Sequence, residues 1–247
     1  MRAHLVGRES APAAGSRHRP VRSYVRREGR MTTGQRRALA RGWKSYGIEV
    51  SDARCDLDRI FERRAPRTLE IGFGMGDSLA AMAEAHPERD YLGIEVYRPG
   101  VGHLLARLES GAIANVRIIA GDAAQVLGKM IADAAFAEVY LLFPDPWPKK
   151  RHHKRRLIQP GFVTELARVL EDGGRLFMAT DWQDYAKHML AVMASAREFV
   201  NVAGPDRFGV RPEWRAVTKF ETRGARQGRA IFDLQFSRKA RTASSPE

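Results

Sequence analysis

Five short apolar runs, most of them followed by residues at helical spacing, constrain the fold of this chain more than any other feature. Residues 68–71 lead through three glycines into a helix with Leu79, Met82 and Ala83 facing inward, where Asp77 and Ser78 are expected to cap and Pro87 marks the end. Residues 91–94 precede a helix opened by Pro99, with Val101, Leu104, Leu105 and Leu108 in register. Residues 116–119 end at Gly121-Asp122, and residues 139–143 are apolar on both faces, as a strand buried between two helical layers would be. Pro160 opens a further helix closed by Gly173-Gly174, and residues 175–179 are followed by a helix over 182–199. Residues 217–220 and 231–236 read as a closing antiparallel pair. Repeated βα units predict an α/β fold with a doubly wound, mostly parallel sheet and an antiparallel C-terminal strand, its ligands lying beyond the carboxyl ends of the strands.

Charge is concentrated rather than spread. The chain of 247 residues has 42 Lys and Arg against 29 Asp and Glu, a net +13. Residues 1–44 hold twelve of those basic residues and only Glu9 and Glu28 as acids. Residues 1–21 read as a disordered basic arm, 22–65 as a basic segment helical in part, 66–238 as the folded domain and 239–247 as a loose tail. Such a balance points to a polyanion, with nucleic acid ahead of a membrane surface because the sequence shows no basic amphipathic helix with a bulky apolar face, and no apolar run approaches the ~20 residues that span a bilayer. The single Cys55 excludes an internal disulfide and any multi-cysteine metal site, and no metal is expected. A soluble cytoplasmic protein is the expectation.

Two segments carry chemistry. In Leu69-Glu-Ile-Gly-Phe-Gly-Met-Gly, Gly72, Gly74 and Gly76 let a ligand lie against bare backbone, in G-x-G-x-G spacing rather than the dinucleotide G-x-G-x-x-G. Glu70 places a carboxylate beside that loop and so disfavours a pyrophosphate. Glu95 and Asp122, at the next two strand ends, are positioned for ribose hydroxyls and an adenine amino group. A nucleoside cofactor without phosphate, S-adenosyl-L-methionine, fits three acids better than a nicotinamide dinucleotide does. The second segment, Phe143-Pro-Asp-Pro-Trp-Pro followed by Lys149, Lys150, Arg151, His152, His153, Lys154, Arg155 and Arg156, fixes Asp145 between two prolines. It offers Trp147 for base stacking and a cationic run for phosphates, including Arg155 and Arg156.

Together these segments resemble the bacterial tRNA (guanine-N7)-methyltransferase family, from about Arg22 onward. The likeness rests on Arg22-Ser-Tyr-Val-Arg-Arg, Glu70-Ile-Gly-Phe-Gly-Met-Gly, Gly93-Ile-Glu-Val, Phe143-Pro-Asp-Pro-Trp, Lys150-Arg-His-His-Lys-Arg-Arg, Ala179-Thr-Asp-Trp and Thr218-Lys-Phe-Glu. It implies a Rossmann-like class I methyltransferase acting on a variable-loop guanine of tRNA. It further implies that Glu70, Gly72, Gly74, Glu95, Asp122 and Asp145 hold S-adenosylmethionine and that Asp145 is catalytic. Lys149, Asp181, Thr218, Lys219, Phe220 and Glu221 would engage the guanine or the methionine end of the donor, with Lys150 to Arg156 on the RNA. The chain departs from the family pattern at Pro148 and at Gln227-Gly-Arg229, neither expected to touch a residue with a chemical role. An exocyclic-amine methyltransferase and a non-catalytic RNA-binding protein on the same fold are the rival readings.

Overall fold

The computed structural model describes residues 29–215 and 217–242, so the expected arm over 1–21 and the Arg22-Ser-Tyr-Val-Arg-Arg segment lie outside the described residues. The basic N-terminal segment supplies α1 (Thr33–Tyr46), β1 (Gly47–Ile48) and α2 (Leu57–Phe61). A reciprocal cap starts α1: the Thr32 hydroxyl accepts from the Gln35 N–H, and the Gln35 side chain accepts from the Thr32 N–H. The strand–helix alternation then runs β2 (Arg67–Ile71), α3 (Asp77–Ala85), β3 (Asp90–Glu95), α4 (Arg98–Ser110), β4 (Val116–Ala120) and α5 (Ala123–Met130). It continues with β5 (Phe136–Leu142), a 3-10 turn (Lys150–Arg155), α6 (Pro160–Val169), β6 (Leu170–Thr180), α7 (Gln183–Ala194), β7 (Phe199–Asn201), α8 (Lys219–Arg226) and β8 (Phe232–Arg238).

The strands form one sheet in the order β1-β4-β3-β2-β5-β6-β8-β7. Strands β1 to β6 pair in parallel, and β8 runs antiparallel to both β6 and β7. One apolar core, with Leu79, Leu104 and Ala38, lies under α1, α3 and α4; the other, with Val126, Phe162 and Tyr185, lies under α5, α6 and α7. Every residue of β3 is buried, which is why its sequence shows no alternation. From β2 the chain steps outward to β3 and β4, then returns to place β5 on the other side of β2. The crevice between the β2 and β5 ends is therefore the switch point, where open α/β sheets take their ligands.

Four local expectations are corrected. Residues 217–220 are not a strand: the Thr218 hydroxyl accepts from the Glu221 N–H and starts α8, so β8 finds its partners in β6 and β7. Helix α3 has Gly76 in a left-handed conformation at its N-cap position, one residue before the expected cap at Asp77. Strand β6 begins directly at Leu170 and runs through Gly173-Gly174. Helix α7 stops at Ala194, leaving Phe199 free to enter the sheet edge. Within the segment expected as a loose tail, the Arg241 guanidinium reaches Asp172 and the carbonyls of Arg168 and Leu170, and residues 243–247 lie outside the described residues.

Candidate functional site

The glycine loop after β2 is shaped by three left-handed glycines, Gly72, Gly74 and Gly76, a conformation side chains rarely adopt. A Cβ built at Gly72 meets nothing within 4 Å, so the backbone there faces open space. Behind the loop stands Glu95. Its Oε2 accepts from the Gly74 N–H at 2.7 Å, and its Oε1 accepts from the Val96 and Tyr97 N–H groups at 2.6 and 2.9 Å. Burial raises the Glu95 pKa against the pull of those bonds, and the charge of Asp145 raises it further. The acid expected to meet ribose hydroxyls therefore also fixes the glycine loop.

Glu70 is 3% exposed, and its Oε2 has no hydrogen-bond partner. Burial first, and then the nearby Glu95, push its pKa from 4.5 up to about 8. Folded Glu70 thus keeps its proton while the unfolded residue loses it, so stability falls as pH rises from 4.5 to about 8. Glu70→Gln is expected to remove that part of the pH dependence and to stabilise the ligand-free protein at pH 8 more than at pH 5. Urea midpoints for both proteins at the two pH values check this; parallel changes would contradict it. Asp122, half-buried, uses one carboxylate oxygen to cap α5 at the Ala124 N–H, 2.9 Å away.

Beyond β5 the chain is strained. Phe143 and Trp147 both have positive φ, 54° and 47°, a conformation costing about 1–3 kcal/mol each in non-glycine residues. Pro144, Asp145 and Pro146 lie between them, and the Phe143 N–H donates to the Ala179 carbonyl at 2.7 Å, tying the loop to β6. Asp145 is exposed at the switch point. The place over the Trp147 ring expected to take a base holds the protein's own Arg155 guanidinium, 5.0 Å from the ring centroid.

Lys149, Lys150, Arg151 and Lys154 are exposed and have no acidic partner among the described residues. Arg156 does not join that ridge. Its side chain points inward: Nε donates to the Pro146 carbonyl at 3.0 Å, Nη2 lies 3.1 Å from His153 Nε2 and 2.5 Å from Asp184, and the guanidinium stacks over Tyr185. The structure turns Arg156 away from the surface where RNA contact was expected: it is 2% exposed, and its Nε and Nη2 face Pro146, His153 and Asp184.

The C-terminal segment closes the other flank. Glu221 is buried and accepts from Arg215 Nη1 at 2.6 Å, while the same arginine holds Asp233 of β8 and lies over the Phe143 ring. Arg215 gave no sequence signal, because its partners are an acid on the next helix and another on the last strand. Thr218 serves as the α8 cap, and the side chains of Lys219 and Phe220 lie outside the described residues. Asp181 pairs with Arg229 at 2.9 Å, and that arginine also covers Trp182. The Gln227-Gly-Arg229 departure therefore does touch a residue expected to bind substrate, contrary to the sequence reading.

A family model described as "Putative methyltransferase" matches residues 64–234. The tRNA (guanine-N(7)-)-methyltransferase of Alkalilimnicola ehrlichii is 55% identical over 228 residues, 92% of this chain and 96% of that protein. The chain belongs to the tRNA (guanine-N7)-methyltransferase family. The enzyme of that name from Alcanivorax borkumensis is 49% identical over 96% of this chain and 99% of its own, and that from Pseudomonas aeruginosa is 53% identical over 89% and 90%. Among solved structures the 16S rRNA methyltransferase KamB superposes with a TM-score of 0.55 at 14% identity, covering 75% of this chain and 94% of its own. At that identity the superposition shows a shared methyltransferase fold. Among the described residues no helix is long and apolar enough to cross a membrane.

Proposed function

We infer that this protein transfers the methyl group of S-adenosyl-L-methionine to N7 of a guanine in tRNA. One observation carries the reading beyond family membership: at the switch point an acidic rim and an unpartnered cationic ridge meet across the strained loop that bears Asp145. The rim fits the donor. Glu70 carries a buried oxygen without a partner, Gly72 leaves open space, and Glu70, Glu95 and Asp122 offer carboxyl oxygens and no cation to pair with a phosphate, which suits a nucleoside donor without phosphate. When bound, S-adenosylmethionine supplies a methyl on a sulfonium, which departs as a neutral thioether.

The chain's own residues then have a limited task. Guanine N7 carries a lone pair and no proton in the major groove, so no base need act on it beforehand. Asp145 is placed to stabilise the positive charge that grows on the alkylated ring, and a carboxylate can accept from guanine N1 and N2. In this reading Lys149, Asp181, Thr218 and Glu221 engage the guanine or the methionine end of the donor, with Glu221 held by Arg215 and Asp181 by Arg229. Lys150, Arg151, His152, His153, Lys154 and Arg155 form the surface for the tRNA backbone. In this reading the enzyme works in the cytoplasm on folded tRNA.

Incubation with methyl-labelled donor and unmodified tRNA, followed by digestion to nucleosides, is expected to give label only in 7-methylguanosine. Label in N6-methyladenosine, or none, would contradict the reading. Charge reversal at Lys150, Arg151 and Lys154 is expected to weaken tRNA binding and to flatten its salt dependence by roughly 0.7–0.9 in log–log slope per lost phosphate contact. Filter binding between 50 and 200 mM salt measures that slope, and an unchanged slope would remove the ridge from the RNA interface.

A further inference from the structure

We propose that Arg156 is a positioning residue for the reaction, holding the Asp145 loop in its strained conformation and tying it to the base of the RNA-binding ridge. The inference rests on Asp145 being the catalytic carboxylate. Three contacts place Arg156 in this role. Its Nε donates at 3.0 Å to the carbonyl of Pro146, the residue directly after Asp145. Its Nη2 reaches Asp184 in the first turn of α7, and its plane lies 4.9 Å from the Tyr185 ring centroid. The residue as a whole is 2% exposed.

A loop with two non-glycine residues at positive φ keeps its shape only where its surroundings over-determine it. Prolines 144 and 146 have no N–H, so the loop has fewer donors of its own to bond its carbonyls, and a donor from elsewhere in the chain helps to hold one in place. Arg156 does this for Pro146 and at the same time braces the ridge. Its Nη2 lies 3.1 Å from His153 Nε2, its own N–H donates to the His153 carbonyl, and Gln159 donates to that same carbonyl. A planar guanidinium can serve a carbonyl and a carboxylate together, whereas a lysine ammonium is a single point charge on a flexible stem. Docking of a phosphate backbone on residues 150–155 is thereby linked through one side chain to where the Asp145 carboxylate sits.

The test compares Arg156→Lys, Asp145→Asn and the double variant in single-turnover methyl transfer. Each is also measured for tRNA affinity against salt and for thermal stabilisation by S-adenosylhomocysteine. Arg156→Lys is expected to slow transfer roughly 10–100-fold, as a misplacement of about 1 Å does, with an unchanged salt slope and an unchanged thermal shift. The double variant is expected to be no more than about threefold slower than Asp145→Asn, because both changes act through one group. A wild-type rate for Arg156→Lys while Asp145→Asn is slow overturns this inference alone. So does a rate loss that adds in full to that of Asp145→Asn, or a shallower salt slope, which would return Arg156 to the phosphates. A wild-type rate for Asp145→Asn overturns the catalytic reading and this one with it. Should Arg156→Lys fail to fold, Asp184→Asn, at an acid whose side chain is 63% exposed, replaces it. It is expected to slow transfer severalfold with tRNA affinity unchanged; an unchanged rate overturns the proposal.

Discussion

Asp145→Ala is expected to lower single-turnover methyl transfer roughly 100–1,000-fold if Asp145 acts as proposed, the usual cost of removing one preorganised electrostatic contact to a developing charge. tRNA affinity is expected to stay within about threefold, because phosphate contacts supply most of it and in the proposed reading those come from the ridge. Asp145 is exposed at the end of β5, and its charge is felt by Glu95 across the switch point, so it stands between the two halves of the site. Among the described residues it has no buried hydrogen-bond or ion-pair partner whose loss would unfold the loop. Rapid-quench assays and filter binding separate the two effects. Equal losses in rate and affinity would make Asp145 an RNA contact instead.

The second large effect comes from a residue outside the chemistry. Gly100 lies in the first turn of α4, and a Cβ built there falls 1.8 Å from the Gly74 carbonyl oxygen. Backbone must move, and the part with room to move is the glycine loop over open space. Overpacking of this kind costs about 1–3 kcal/mol. If the strain is relieved by displacing the loop, donor affinity falls roughly 10–100-fold, since each 1.4 kcal/mol is tenfold. Gly100→Ala is therefore expected to lose most of its thermal stabilisation by S-adenosylhomocysteine while remaining folded. A full shift would mean that the loop's position does not control binding.

The parallel strands were legible because strands buried on both faces read as unbroken apolar runs; β3 and β5 are examples. The acids at their carboxyl ends were legible for the same reason, since a polar residue closing such a run marks the sheet edge. Helix α5 was missed: it is eight residues long and rich in small side chains, with Asp122 as its only start signal. Residues 217–220 misled because two apolar residues in a short segment ahead of 231–236 suggested a strand, whereas Val217 and Phe220 are at i,i+3 and the Thr218-to-Glu221 spacing was a helix start. Local sequence also cannot tell an inward cation from an outward one. Arg155 and Arg156 are neighbours of the same type, yet one covers Trp147 at the surface and the other is buried against Tyr185. The Arg229–Asp181 and Arg215–Asp233 pairs join residues far apart in sequence, and nothing local announces them.

In the proposed reaction the methyl group arrives at N7 of a guanine in tRNA. Unmodified tRNA incubated with the protein and S-adenosylmethionine, then treated with borohydride and aniline, is expected to break at one guanine in the variable loop. That scission should be absent when the donor is omitted. Methylated tRNA that survives this treatment intact would place the methyl group on another atom and contradict the account.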